Sequence, residues 1–129
     1  STVILGGFSL GARIAVQTAR RIAPLAIVCL GYPFHVRGDP QDRHGLDALR
    51  QLRTPTLIVQ GTRDAHGSQP EVRGYGPLPD GVRIHWLDDG NHRFQPRLRS
   101  AQTETGHSRS AAAACVDFIV KTLGGRPHV

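Results

Sequence analysis

The 129-residue sequence predicts an α/β fold, a mostly parallel sheet of about four strands with flanking helices in one domain over residues 1–129. Three observations carry this. Residues 25–30 (LAIVCL) and 56–60 (TLIVQ) are unbroken apolar runs of strand length, closed by Gly31 and Gly61. Such runs suit strands covered on both faces. Other stretches carry apolar residues at helical spacing, and strands that alternate with helices imply βαβ crossovers.

Taken in order, residues 1–5 (STVIL) are β-branched and apolar, a strand that runs into the Gly6-Gly7-Phe8-Ser9-Leu10-Gly11 turn. Ala12, Ala15, Val16, Ala19, Ile22 and Ala23 then repeat at i, i+3, i+4 and i+7, with Arg13, Gln17 and Arg20 on the opposite face. This is an amphipathic helix that ends near Pro24. After the strand at 25–30, residues 35–45 are polar and broken by Gly38 and Pro40, hence a loop. A short helix is expected at 46–52, then the strand at 56–60. Ser68-Gln69-Pro70-Glu71 has capping-box spacing, and residues 82–87 (VRIHWL) alternate like a more exposed strand. Residues 88–110 are polar and read as a loop, and the last helix is expected over 111–123, with Gly124-Gly125 as its stop. Within that helix Asp117 and Lys121 form an i,i+4 pair opposite Cys115, Phe118 and Ile119.

Composition narrows the function. The apolar fraction of 39% suits a globular domain, and no apolar run approaches the ~18 residues of a spanning helix. No signal peptide is visible, so the expected location is the cytoplasm. Sixteen basic against ten acidic residues give +6, with fifteen of the bases Arg, a weak pointer to anionic partners. The Arg residues are spread along the chain and only Arg93, Arg97 and Arg99 are bunched, so nucleic acid is not the expected partner. Cys29 and Cys115 sit in apolar runs and read as buried thiols. The His residues make no metal-ligand spacing and there is no CxxC, so no metal site is expected.

Gly7-Phe8-Ser9-Leu10-Gly11 is G-x-S-x-G between a strand and a helix. In that context the motif forms a nucleophile elbow, whose sharp turn lifts the serine hydroxyl above the sheet. Other glycine-rich readings fail. A phosphate loop needs Lys and Ser/Thr after the last glycine, where Ala12-Arg13 stand, and the segment lacks the third glycine of a dinucleotide fingerprint.

A serine nucleophile needs a base, and the base needs an orienting carboxylate. Asp64 follows the strand ending at Gln60-Gly61, and His92 follows the next strand, so both belong to the carboxyl edge of the sheet. Taken singly, an Asp after a strand is commonly a turn former and a His in a polar loop is commonly solvated. Three such residues at strand ends, in the order Ser, Asp, His that the elbow fold requires, are a different matter. Ser9, Asp64 and His92 are therefore expected to converge. Asp88 or Asp89 could replace Asp64 but sit close to His92 and suit shaping its turn. His35, His44, His66, His85, His107 and His128 are read as structural or solvated.

The segments GGFSLGAR, PTLIVQGTRDAHGS and WLDDGNHRF resemble the α/β-hydrolase superfamily, in particular its small dienelactone-hydrolase-like and testis-expressed-protein-like branch. The resemblance runs over nearly the whole chain. It implies Ser9 as nucleophile, Asp64 as acid, His92 as base and the Leu10 backbone N–H as one oxyanion-hole donor. It also implies hydrolysis of a small ester, thioester or related carbonyl substrate, without a cofactor and without membrane attachment. In that fold the elbow strand is the fifth of eight, so the resemblance is to the C-terminal half. The preceding strands, and the loop that gives the second oxyanion donor, have no counterpart in these residues. Loss of one such donor costs about 10²–10³ in turnover, so a weak or inactive site is one expectation for this chain.

The rival reading is a non-catalytic hydrolase-like interaction module. A half-sheet with an open apolar edge suits pairing with another chain, and self-association through the first strand is expected on that ground.

Overall fold

A computed structural model describes residues 3–124 and shows four parallel strands: β1 (Ile4–Phe8), β2 (Ala26–Leu30), β3 (Thr56–Gly61) and β4 (Val82–Leu87). They lie side by side in chain order, so β1 and β4 are the edges. The helices are α1 (Leu10–Ile22), α2 (His44–Arg50), α3 (Gln69–Gly74) and α4 (Glu104–Gly124). Among the described residues no helix is long and apolar enough to cross a membrane.

The strand period of two divides the sheet between two cores. On one face Leu5, Ile27, Cys29, Ile58, Ile84 and Trp86 meet Ala12, Ala15, Val16 and Ala19 of α1, Leu49 of α2 and Val72 of α3. On the other, Ala26, Leu57, Val59 and Leu87 meet Ala111, Cys115, Phe118 and Ile119 of α4. Fully buried residues such as Ile27 and Ile58 each contribute about 1.5–3 kcal/mol by leaving water. The alanines of α1 let that helix approach the sheet closely. Burial pushes the Cys29 thiol up to about 12, as expected of a buried thiol, and raises Cys115, which is half-buried on α4's apolar face rather than buried as expected.

Several boundaries differ from the sequence expectation. Gly6 and Gly7 belong to β1, in register with Val28 and Cys29, rather than to the turn. With no side chains to alternate, two glycines hide strand periodicity. Ile22 and Ala23 are exposed, because Ala23 adopts a left-handed cap (φ 45°) that turns the chain toward β2. Arg13, expected on the solvent face, is half-buried and donates to the Pro33 carbonyl at 3.3 Å. Helix α2 starts two residues before residue 46. The largest correction is α4, which starts at Glu104 inside the stretch read as loop. Thr103 caps it by accepting from the Gly106 amide (2.9 Å) and the His107 amide (2.9 Å). Its first turns bury His107 and face His85 with Ser110 (2.8 Å), so polar residues carry the inward face there. The capping box at Ser68 and Glu71 and the Asp117–Lys121 pair (3.0 Å) form as expected. Ser1, Thr2, Gly125 and His128 lie outside the described residues.

Gln60 ties the carboxyl edge together. Fully buried at the end of β3, it accepts from the Tyr32 amide (2.8 Å) and donates to the carbonyls of Tyr32 (3.0 Å) and Gly67 (3.0 Å). It thereby joins the loop after β2 to the turn that carries Asp64. Gln60→Leu strands three buried backbone groups, each worth about 1–3 kcal/mol when unsatisfied. The expected loss is about 3 kcal/mol or more, read as a lower urea midpoint at unchanged slope.

Candidate active site

Ser9 sits between β1 and α1 with φ 55° and ψ −118°, a conformation that costs a non-glycine residue about 1–3 kcal/mol. Its surroundings hold it there. The Ser9 amide donates to the Leu30 carbonyl (2.9 Å), and the Ser9 carbonyl accepts from Ala12 (2.9 Å) and Arg13 (3.3 Å). A Cβ at Gly7 would overlap the Gly11 carbonyl group, so only glycine permits this close strand-to-helix crossing. Gly11 itself has open space around it. The Ser9 side chain makes no capping bond and is left free for another partner.

That partner is His92, whose Nε2 lies 2.8 Å from Ser9 Oγ. The His92 Nδ1 lies 2.7 Å from Asp64 Oδ2. With Nδ1 protonated, the ring donates to Asp64 and accepts from the Ser9 hydroxyl. Asp64 is fully buried, and its other oxygen, Oδ1, accepts from the His66 amide (2.8 Å). Both carboxylate oxygens are therefore satisfied, as a buried charge requires. The three residues named from strand-end placement thus form one continuous hydrogen-bonded line. At the start of α1, the Leu10 amide has no carbonyl four residues back in the helix, so its N–H is available to a ligand.

The loop that presents His92 is clasped from two sides. A Cβ at Gly61 would overlap the carbonyls of Gly90 and Asn91, so glycine at the end of β3 lets that loop lie flat against the strand. Asp89 provides the other clasp: its carboxylate accepts from Arg97 Nε (2.7 Å) and the Arg97 amide (3.0 Å), and its carbonyl accepts from Arg63 Nε (3.0 Å), which also pairs with the carboxylate (3.0 Å). Hydrogen bonding from Arg97 holds the Asp89 carboxyl at about 2, well below its ordinary 3.8. Asp89 therefore shapes the turn and does not replace Asp64, while Asp88 is exposed. A carboxyl lowered on folding stabilises the fold above its unfolded pKa and loses that contribution as pH falls toward its folded value. Between pH 4 and pH 2 the wild type is expected to lose more thermal stability than Asp89→Asn, which carries no such group, and paired melting curves read the difference.

The other histidines divide by environment. His66 packs on the His92 ring (centroids 4.4 Å apart) and has its Nδ1 3.2 Å from the His35 carbonyl, while Phe8 flanks His92 at 5.5 Å. His35 is buried with Nε2 2.9 Å from Glu71. Burial pushes the Glu71 carboxyl up, but its bonds to Ser68 and His35 outweigh this and hold it below its ordinary value. His107 is buried on a helix rather than in a loop, with Nδ1 2.7 Å from the Phe94 carbonyl. His44 is exposed beside Asp42. The position of His66 against His92 was missed at the sequence level, since nothing in A-H-G-S signals a ring contact across 26 residues. Among the described residues no cluster of His, Cys, Asp or Glu could hold a metal ion.

A parallel sheet with a strained serine at the strand-to-helix turn after β1, an acid after β3 and a histidine after β4 is the architecture of the α/β hydrolases. Residues 1–120 match the alpha/beta hydrolase domain family, and the chain belongs to it. No curated protein matches the sequence at a significant level. Solved structures that resemble it include an alpha-beta serine hydrolase homologue from Coxiella burnetii (TM-score 0.65, 19% identity, 91% of this chain and 49% of that one). Another is a serine hydrolase without a lid from Xanthomonas campestris (TM-score 0.58, 17% identity, 100% of this chain and 50% of that one). A third is an esterase domain from Rhodothermus marinus (TM-score 0.56, 13% identity, 90% of this chain and 60% of that one). The chain spans about half the length of the first of these relatives. The family match places the chain among the α/β hydrolases, the structural likenesses show the shared fold, and neither singles out the dienelactone-hydrolase-like or testis-expressed-protein-like branch.

Proposed function

We propose that this chain carries the nucleophile, base and acid of a serine hydrolase that transfers the acyl group of a small ester or thioester to water. The observation that carries the reading is the unbroken line from Ser9 Oγ through His92 to buried Asp64, at 2.8 and 2.7 Å. The esterase and serine hydrolase descriptions of structures sharing the fold agree with it.

In this reading His92 Nε2 takes the Ser9 proton as Oγ attacks the substrate carbonyl carbon. The carbonyl oxygen becomes negative against the Leu10 N–H, at the positive end of α1, whose first turn holds no acidic residue. Asp64 accepts from Nδ1 and stabilises the imidazolium. Collapse of the tetrahedral species breaks the bond to the leaving oxygen or sulfur, which takes the proton from His92. Water then repeats the sequence on the seryl ester, with His92 as base, and releases the acid and free Ser9.

Partitioning by hydroxylamine tests the proposal. A set of acetyl esters differing only in their leaving alcohol should give one common ratio of hydroxamate to acetate, because all pass through the same seryl intermediate. Ratios that vary with the alcohol would remove the seryl intermediate, and no turnover above buffer would remove the reading and leave a non-catalytic module.

A further inference from the structure

Beside the His92 ring opens a cleft of about 630 Å³ that the acyl-transfer line does not use. Arg37, Arg63 and Arg93 line it together with His66 and Asn91, and no acidic side chain among the described residues does so. The three arginines come from the loops after β2, β3 and β4, which the sheet brings to one edge. Arg63 is committed to Asp89 (Nε to Oδ1 3.0 Å). Arg37 and Arg93 are exposed, and no carboxylate among the described residues pairs with their guanidinium groups. Two uncommitted guanidinium forks in a concave, acid-free wall suit an oxyanion, which each can bind bidentately.

The cleft's place relative to the reacting atoms says which part of a substrate reaches it. His92 lines it, whereas Ser9 and Leu10 do not. In acyl transfer the carbonyl oxygen turns toward the Leu10 N–H, while the leaving atom must lie by His92 Nε2 to receive its proton. The leaving alcohol or thiol therefore points past the imidazole toward the arginines. The geometry points to a substrate whose leaving alcohol or thiol carries an oxyanion, phosphate or carboxylate, held by Arg37 and Arg93. This inference rests on the serine hydrolase reading and adds the substrate class to it.

The test compares three acetyl esters with the same acyl group: 2-hydroxyethyl acetate, 2-acetoxyethyl phosphate and acetoxyacetate. The anionic esters should show kcat/KM about tenfold above the neutral one at low salt, falling as ionic strength rises. Which of the two leads tells phosphate from carboxylate. In the Arg37→Ala/Arg93→Ala double variant the anionic-to-neutral ratio should fall to about one. A ratio near one in the wild type, or a preference that survives in the variant, overturns the inference. A binding arm separates its failure from failure of the hydrolase reading. Inorganic phosphate is titrated while the ring signals of His66 and His92 are followed by NMR. If no ester is turned over, shifts present in the wild type and absent in the variant sustain the anion site while the hydrolase reading falls. Absence of shifts in the wild type then overturns the anion site as well.

Discussion

Ser9→Ala and His92→Ala are each expected to lower kcat/KM by about 10⁴–10⁶-fold, with the double variant no worse than either single one. The reason lies in the geometry. Ser9 Oγ has one side-chain partner, His92 Nε2 at 2.8 Å, and neither group performs the attack without the other. Asp64→Asn should cost about 10³–10⁴-fold, since an amide facing Nδ1 favours the wrong tautomer while leaving the serine in place. Steady-state kinetics on one acetyl ester, with circular dichroism showing that each variant is folded, checks all four. Losses that add in the double variant would mean that Ser9 and His92 do not act as a unit.

Gly61→Ala is expected to have the next largest effect, although Gly61 touches no reacting atom. Its Cβ would overlap the carbonyls of Gly90 and Asn91, and backbone held on both sides cannot give way cheaply. The loop moves outward and takes His92 with it. A displacement of about 1 Å at the base lowers turnover about 10²-fold, and overpacking against backbone costs about 1–3 kcal/mol. Gly11→Ala is the control. It belongs to the G-x-S-x-G pattern yet has open space for a methyl group, so it should leave stability unchanged or slightly raised in the helix. Measured together, the pair separates glycines that sterics require from one that only the motif contains. Equal destabilisation by both would contradict this reading of the crossings.

These two cases show what was legible in the sequence and what was not. The buried strands and the order Ser9, Asp64, His92 could be read because parallel strands announce themselves as apolar runs and place their loops on one edge. Gly61 could be read as the end of a strand, but not as the surface on which the His92 loop rests, since Gly90 and Asn91 lie about thirty positions on. The Gln60 clasp was hidden for the same reason, as its partners belong to Tyr32 and Gly67. Helix α4 starts seven residues before its apolar periodicity does, because its first inward-facing residues, His107 and Ser110, are polar and bond across to Phe94 and His85. An apolar periodicity has nothing to count there. Arg37, Arg63 and Arg93 were visible as charges, and only the fold gathers them in one cleft.

The central claim, that Ser9 is a nucleophile activated by His92, meets its most direct test in covalent labelling. The chain is treated with a fluorophosphonate and its peptides are mapped by mass spectrometry, because only an activated serine displaces fluoride from phosphorus at neutral pH. The account predicts one adduct, on Ser9, that is lost in His92→Ala while that variant remains folded. Labelling on another serine, labelling of Ser9 that persists without His92, or a folded chain that takes no label would contradict it.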